Sequence, residues 1–317
     1  MYWVLFVVLL GAFGLLTLFR AQKFTQKAET DTPPIGQFIK VGGQRIHYIK
    51  QGSGPVLLMI HGAGGHVKDF TYDHVTRFAK DFTVVAFDRP GHGYTPLLGK
   101  TATLAEQADL ITKAATKLGI TNAYIMGFSY GGALALHLAT QYKDFVKGLV
   151  LISAVSMPWP GKINITYRLM AMPFIGPAMM AFATAYFGDA YFRATYATVF
   201  EPHETPKGYL DHVGVNMSVR YRHFVENSRQ LQNLYPQVLA QFDHYKDLKI
   251  PIEMIHGTSD PTVPHHIHAC EFIKIVPQAN LVLMQDMGHG THQLAIPEIE
   301  KAVDAMAASN ADTARKA

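Results

Sequence analysis

The stretch IMGFSYGGALALHLA sets Ser129 two residues from Gly127 and two from Gly131, the pattern G-x-S-x-G, after an apolar β-like run and ahead of an Ala/Leu-rich helical one. A serine on so sharp a strand-to-helix turn takes a strained backbone conformation, and neighbouring chain passes so close that side chains at Gly127 and Gly131 would obstruct it. The turn holds Oγ out above the sheet edge, beside the free backbone N–H groups of the helix start. A serine hydroxyl is a poor nucleophile at neutral pH, so it needs a base, and the base needs a carboxylate to orient it. The segment IHGTSDPTVP offers Asp260, QDMGHGTHQ offers Asp286, His289 and His292, and Asp243 lies further upstream.

Residues so distant in sequence meet only if regular elements carry them to one place. After a hairpin turning at Gly42-Gly43, apolar β-rich runs alternate with helical stretches, and the runs Val56 to Ile60, Thr83 to Phe87, Ala123 to Met126, Gly148 to Ile152, Pro251 to Ile255 and Asn280 to Met284 read as strands. Because these runs are continuously apolar rather than alternating, they suit strands buried on both faces, and the helices between them imply right-handed crossovers and a parallel sheet. The fold class is α/β. Between Ser153 and about Leu248 the alternation stops, and a Met-, Phe- and Ala-rich helical insertion is expected to cover the C-terminal edge of the sheet.

Composition removes several other classes. With 49% hydrophobic and 16% charged residues the chain is globular, and its net charge of +4 forms no basic stripe interleaved with aromatics, so no nucleic-acid partner is indicated. The lone cysteine, Cys270, makes no internal disulfide, so the fold needs no oxidising compartment. His265, His266 and His268 cluster near a helix start without an H-E-x-x-H pattern, which gives no metal site. IHGAGGH lacks the lysine and spacing of a phosphate loop and the G-x-G-x-x-G of a dinucleotide fold.

The N-terminus departs from this average. Met1 to Phe19 carries no charged side chain, and as a helix rising ~1.5 Å per residue it roughly matches a ~30 Å hydrocarbon layer. Residues 1–20 are expected to form a transmembrane anchor and 21–36, polar and ending near Pro33 and Pro34, a linker. Arg20, Lys23 and Lys27 follow the apolar run, which by the positive-inside tendency leaves the globular domain on the cytoplasmic side. The competing reading is a cleaved signal peptide and export, although neither a basic leading segment nor a small-x-small cleavage site is visible.

The serine turn, the loop IHGAGGH, the loop FDRPGHGYT and the later Asp and His together resemble the α/β-hydrolase fold superfamily over roughly Gln37 to Ala307. The likeness is to its cap-bearing branch of esterases, meta-cleavage-product hydrolases and epoxide hydrolases. It implies a mostly parallel sheet flanked by helices, with a core over 37–153 and 249–308, a helical cap over 154–248 and a flexible tail over 309–317. The family order of serine, acid and histidine assigns catalytic roles to Ser129, Asp260 and His289; some members carry the acid earlier, but LISAVSMP has no carboxylate. By the same resemblance the backbone N–H groups of Ala63 and Tyr130 form the oxyanion hole, His61 is structural, and Asp88 and Arg89 shape their loop. Thr95 stands where relatives usually have serine.

A serine at the turn disfavours the dehalogenase and epoxide hydrolase branches, which use aspartate there. What the resemblance implies is acyl chemistry, with carboxylic ester hydrolysis on a moderately lipophilic small molecule or lipid as the leading reading. A C–C hydrolase of meta-cleavage type is the nearest alternative and would want a cation for its substrate carboxylate, for which Arg168, Arg193, Arg220 and Arg222 are candidates. A cofactor-free haloperoxidase or acyltransferase would use the same three residues, and a non-catalytic binding protein on this fold is the contrasting class. No metal, nucleotide or flavin cofactor is implied, and the sequence does not specify an oligomeric state.

Overall fold

The computed structural model describes residues 1–316. It opens with α1 (Tyr2–Asp31), followed by the hairpin β1 (Gln37–Val41) and β2 (Gln44–Gln51). The α/β alternation then runs through β3 (Val56–Ile60), α2 (Lys68–Thr71), α3 (His74–Phe78), β4 (Thr83–Phe87), α4 (Leu104–Lys117), β5 (Ala123–Phe128), α5 (Tyr130–Gln141) and β6 (Val146–Ile152). Between β6 and the next strand the chain is helical: α6 (Ile165–Met170), α7 (Ile175–Tyr186), α8 (Asp189–Ala197), α9 (Tyr209–Val213), α10 (Tyr221–Gln232) and α11 (Leu234–Gln241), with short 3-10 turns among them. Then come β7 (Ile252–Gly257), α12 (Ala269–Ile275), β8 (Asn280–Met284), α13 (Thr291–Leu294) and α14 (Ile296–Lys316).

The sheet has eight strands in the order β1-β2-β4-β3-β5-β6-β7-β8. All pairs from β4 to β8 are parallel, and the hairpin adds its two strands antiparallel at one edge. Successive side chains of a strand point to opposite faces, and β3 shows the result: Leu58 and Ile60 join the core beneath α4 and α5, whereas Leu57 and Met59 join the core beneath α3 and α14. Both faces of the central strands β3 to β7 are dry, which is why they read as continuous apolar runs.

The strand order fixes where chemistry can occur. From β3 the chain steps outward to β4, then returns past β3 to β5 and continues the other way. Loops leaving the carboxyl ends of β3 and β5 therefore diverge, α3 to one face and α5 to the other, and open a crevice at this reversal. Ser129 follows β5, and the loop bearing Ala63 follows β3.

Two boundaries differ from expectation. The first helix does not stop near residue 20 but continues to Asp31, because Ala, Gln, Lys and Glu keep it helical until Thr32, the residue before Pro33. Of the residues expected as a flexible tail, 309–316 are likewise helical, as α14 runs to Lys316, and residue 317 lies outside the described residues.

The C-terminal part of α1 is docked rather than free. Phe24 packs on Phe192 of α8 with ring centroids 5.6 Å apart, and the Tyr94 hydroxyl donates to the Thr32 carbonyl at 2.7 Å. Arg220, just before α10, donates to Glu29 at 2.6 Å and also to the carbonyl of Gly93. Replacing Arg220 by methionine removes charge-assisted hydrogen bonds worth about 1.5–3 kcal/mol. The expected outcome is faster trypsin cleavage at Lys23 and Lys27, because unwinding the last turns of α1 becomes easier; an unchanged cleavage rate would show that the contact does not hold the helix.

Candidate active site

Ser129 has φ 53° and ψ −116°, a left-handed conformation that L-residues rarely adopt. Its N–H donates to the Ile152 carbonyl of β6 at 3.0 Å, while its own carbonyl accepts from Gly132 and Val155. A Cβ at Gly131 would lie 2.1 Å from the Ile60 carbonyl oxygen, and one at Gly132 would lie 2.3 Å from the Ala154 Cβ. The turn can therefore seat between β3 and β6 only without those side chains.

The structure brings Ser129, His289 and Asp260 together. His289 Nε2 lies 3.0 Å from Ser129 Oγ, and His289 Nδ1 lies 2.7 Å from Asp260 Oδ2. Asp260 follows β7 and His289 follows β8, so both loops leave the same sheet edge as the serine turn. The other carboxylate oxygen, Asp260 Oδ1, accepts from the N–H groups of Thr262 and Val263, each at 2.9 Å. Burial alone would raise the Asp260 carboxyl, but the His289 imidazole and the Val263 N–H outweigh it and hold the group below the ordinary carboxylate value. An ionised carboxylate only accepts, so His289 Nδ1 donates to Asp260, and in the neutral ring this tautomer leaves the Nε2 lone pair facing the serine hydroxyl. All three side chains are buried.

The competing candidates lie elsewhere. Asp286 is exposed in the turn after β8, and Asp243 is exposed on the 3-10 turn Phe242–Asp247. His292 stacks on Phe128 with ring centroids 3.8 Å apart and bonds Tyr209. Of the histidine trio near residue 266, His268 is spent on the Met157 N–H at 3.2 Å.

Arg89 does more than shape its loop. Fully buried, it donates to the carbonyls of His61 at 3.2 Å and Gly62 at 2.9 Å, and to Gln107 and Gln230, while its guanidinium lies 4.1 Å from the Tyr130 ring centroid. Because a peptide bond is trans, fixing the Gly62 carbonyl toward Arg89 turns the Ala63 N–H the opposite way. Gly62 itself abuts Ser129, since a Cβ there would lie 3.3 Å from the serine Cβ. Tyr130 begins α5, so its N–H has no carbonyl one turn earlier inside that helix. The cap completes the shell from α10, where Gln230 receives Arg89 and Asn227 accepts from the Gly64 N–H at 2.8 Å. Sequence reading misses Asn227 and Gln230, because nothing in YRHFVENSRQLQ says which polar face of that helix is buried; a lone arginine between Gly- and Pro-rich loop residues was the available hint of a hub at Arg89.

A family model described as alpha/beta hydrolase fold matches residues 55–293. The chain belongs to the alpha/beta hydrolase family. An uncharacterised protein of Mycobacterium tuberculosis is 27% identical over 265 residues, 81% of this chain and 76% of its own length. Among solved structures, a thermophilic esterase from Thermogutta terrifontis superposes with a TM-score of 0.69 at 17% identity, covering 87% of this chain and 99% of that one. A membrane phospholipase A superposes with a TM-score of 0.65 at 19% identity, covering 100% of this chain and 99% of that one.

Four arginines were candidates for a substrate carboxylate. Arg193 pairs with Asp211 at 2.8 Å, Arg220 is engaged by Glu29, and Arg222 rests on Tyr221. Arg168 lines a cavity of about 290 Å³ with Trp159, Lys162 and Tyr235.

Buried histidines surround the site. Burial pulls His66, His74 and His256 down to about 4 and His268 to about 3, and it holds His61, His92 and His292 well below the ordinary value. Each binds its proton more readily when unfolded, so each removes stability as pH falls below about 6.5, by up to ~1.4 kcal/mol per pH unit until the folded value is reached. Asp69, pushed up to about 7 by burial, has the opposite sign and offsets part of this. Melting temperature measured against pH should therefore drop steeply between about pH 6.5 and 4; a flat profile there would mean these rings are not held neutral.

Proposed function

We propose that the chain is a serine hydrolase that cleaves carboxylic esters of a moderately lipophilic small molecule or lipid. The observation that carries this reading is the buried contact chain Ser129 Oγ, His289 Nε2 and Nδ1, and Asp260 Oδ2, at 3.0 and 2.7 Å, in the crevice where the strand order reverses. His289 takes the hydroxyl proton as Ser129 Oγ attacks the ester carbonyl, and Asp260 stabilises the imidazolium that results. The oxyanion lies against the N–H groups of Ala63 and Tyr130. His289 then gives its proton to the leaving alcohol, and a water activated by the same ring hydrolyses the acyl-enzyme. No step calls for a metal, nucleotide or flavin.

What supports a lipid-like substrate is α1, which is long and apolar enough to cross a membrane. We read it as a single-pass anchor, with Arg20, Lys23 and Lys27 keeping the domain on the cytoplasmic side. The membrane phospholipase A that shares the fold along the whole chain is in keeping with this. C–C hydrolysis of an acid, the alternative reading, would need a cation for the substrate carboxylate, but the cavity that Arg168 lines includes none of Ser129, His289 or Asp260.

A fluorophosphonate probe should label Ser129 in the folded protein. On p-nitrophenyl esters of graded chain length, Ser129→Ala should lose at least ~10⁴-fold in kcat; ester turnover absent in wild type, or unchanged in the variant, would reject ester hydrolysis. Arg89→Lys tests the oxyanion assignment separately. Misorienting one donor should lower kcat by ~10²- to 10³-fold with little change in KM. A lower melting temperature with kcat intact would mean that Arg89 only supports the fold.

A further inference from the structure

The apolar run of α1 gives way to charge at Arg20, and the end of α7 is fixed to the helix at that level. Phe13 stacks on Tyr186 with ring centroids 5.8 Å apart and planes 5° from parallel, Thr17 Oγ1 lies 2.9 Å from the Tyr186 hydroxyl, and Arg20 donates to the Ala185 carbonyl at 2.9 Å. Phe13 to Arg20 spans about 10 Å of helix at ~1.5 Å per residue, so the contact runs from within the apolar stretch to its first charge.

From Tyr186 a series of rings continues outward. Phe182 lies 4.9 Å from Tyr186, Phe187 lies 6.3 Å from Phe182, and Tyr191 lies 4.8 Å from Phe187. These three are 45%, 41% and 55% exposed, although large rings are among the side chains that gain most from leaving water. Amphipathic and aromatic rings at the level of the first charges are what a membrane–water boundary accommodates, with Arg20 and Lys23 placed for lipid phosphates.

We propose that Phe182, Phe187 and Tyr191, linked to α1 through Tyr186, form an interfacial collar that seats the cap on a phospholipid bilayer. The occupant of this surface is the headgroup–acyl boundary, and the collar sets how deep α1 sits and how the cap faces the membrane. The proposal rests on α1 spanning the bilayer, and the experiment separates the two. The full chain is reconstituted into phosphatidylcholine/phosphatidylglycerol vesicles whose acyl chains are brominated either near the headgroup or near the methyl end.

With the other tryptophan removed as Trp159→Phe in every protein compared, Trp3, inside the apolar run, reports on the span. Phe187→Trp and Tyr191→Trp, each compared with the parent chain, report on the collar at two exposed positions where an added indole leaves packing intact. The expected result is quenching of Trp3 in brominated vesicles, and quenching of each added indole several-fold stronger with the shallow bromines than with the deep ones. Trp3 quenched while both added indoles are protected from either lipid overturns the collar alone, whether water or a second copy covers the rings. Trp3 unquenched by either lipid overturns the spanning reading and the collar with it.

Discussion

The carbonyl oxygen of Ile60 occupies the place where a side chain at position 131 would have to be. That single close approach sets the geometry around it, because it lets the β5–α5 turn press against the end of β3 and so puts the serine hydroxyl beside the loop that carries Ala63. Gly127 and Gly132 extend the requirement, one against the Gly131 carbonyl and the other against Ala154 after β6. With the turn seated, loops from β7 and β8 reach it from the same edge, and a carboxylate fixed by two backbone N–H groups can aim an imidazole at the hydroxyl.

The segment from Phe87 to Thr95 ties the remaining parts to this turn. Asp88 accepts from the N–H groups of Val67 and Tyr94 and lies 2.6 Å from His47, so the loop is rigid at its base. Arg89 reaches the β3 loop and the cap, the Gly93 carbonyl receives Arg220 of the cap, and the Tyr94 hydroxyl reaches the end of α1. One nine-residue stretch thus touches the N-terminal helix, the cap and the neighbourhood of Ser129. This is coupling by shared contacts, and any motion of the cap over the crevice must carry those contacts with it.

Much of the core was legible in the sequence because strands buried on both faces leave uninterrupted apolar runs; Val56 to Ile60 and Thr83 to Phe87 coincide with β3 and β4, while Asn280 to Met284 coincides with β8, an edge strand that stays partly exposed. Glycine spacing marked the turn at Ser129, since only a steric demand makes Gly127 and Gly131 necessary there. The end of α1 was misread because polarity and two prolines suggested a linker, whereas the intervening residues are good helix formers and the prolines act only beyond Thr32. The contacts of Arg89, Asn227 and Gln230 were hidden for another reason. They join segments some 140 positions apart, and no local pattern records which polar side chain will find its partner across such a distance.

The backbone at Ser129, with φ 53°, carries a wider consequence. A side chain in so sparsely populated a conformation costs on the order of 1–3 kcal/mol, and glycine at that position would escape most of it. A laboratory selection that scored only resistance to heat would thus be drawn to replace the hydroxyl-bearing residue, gaining robustness at one codon at the expense of the side chain on which the proposed chemistry rests.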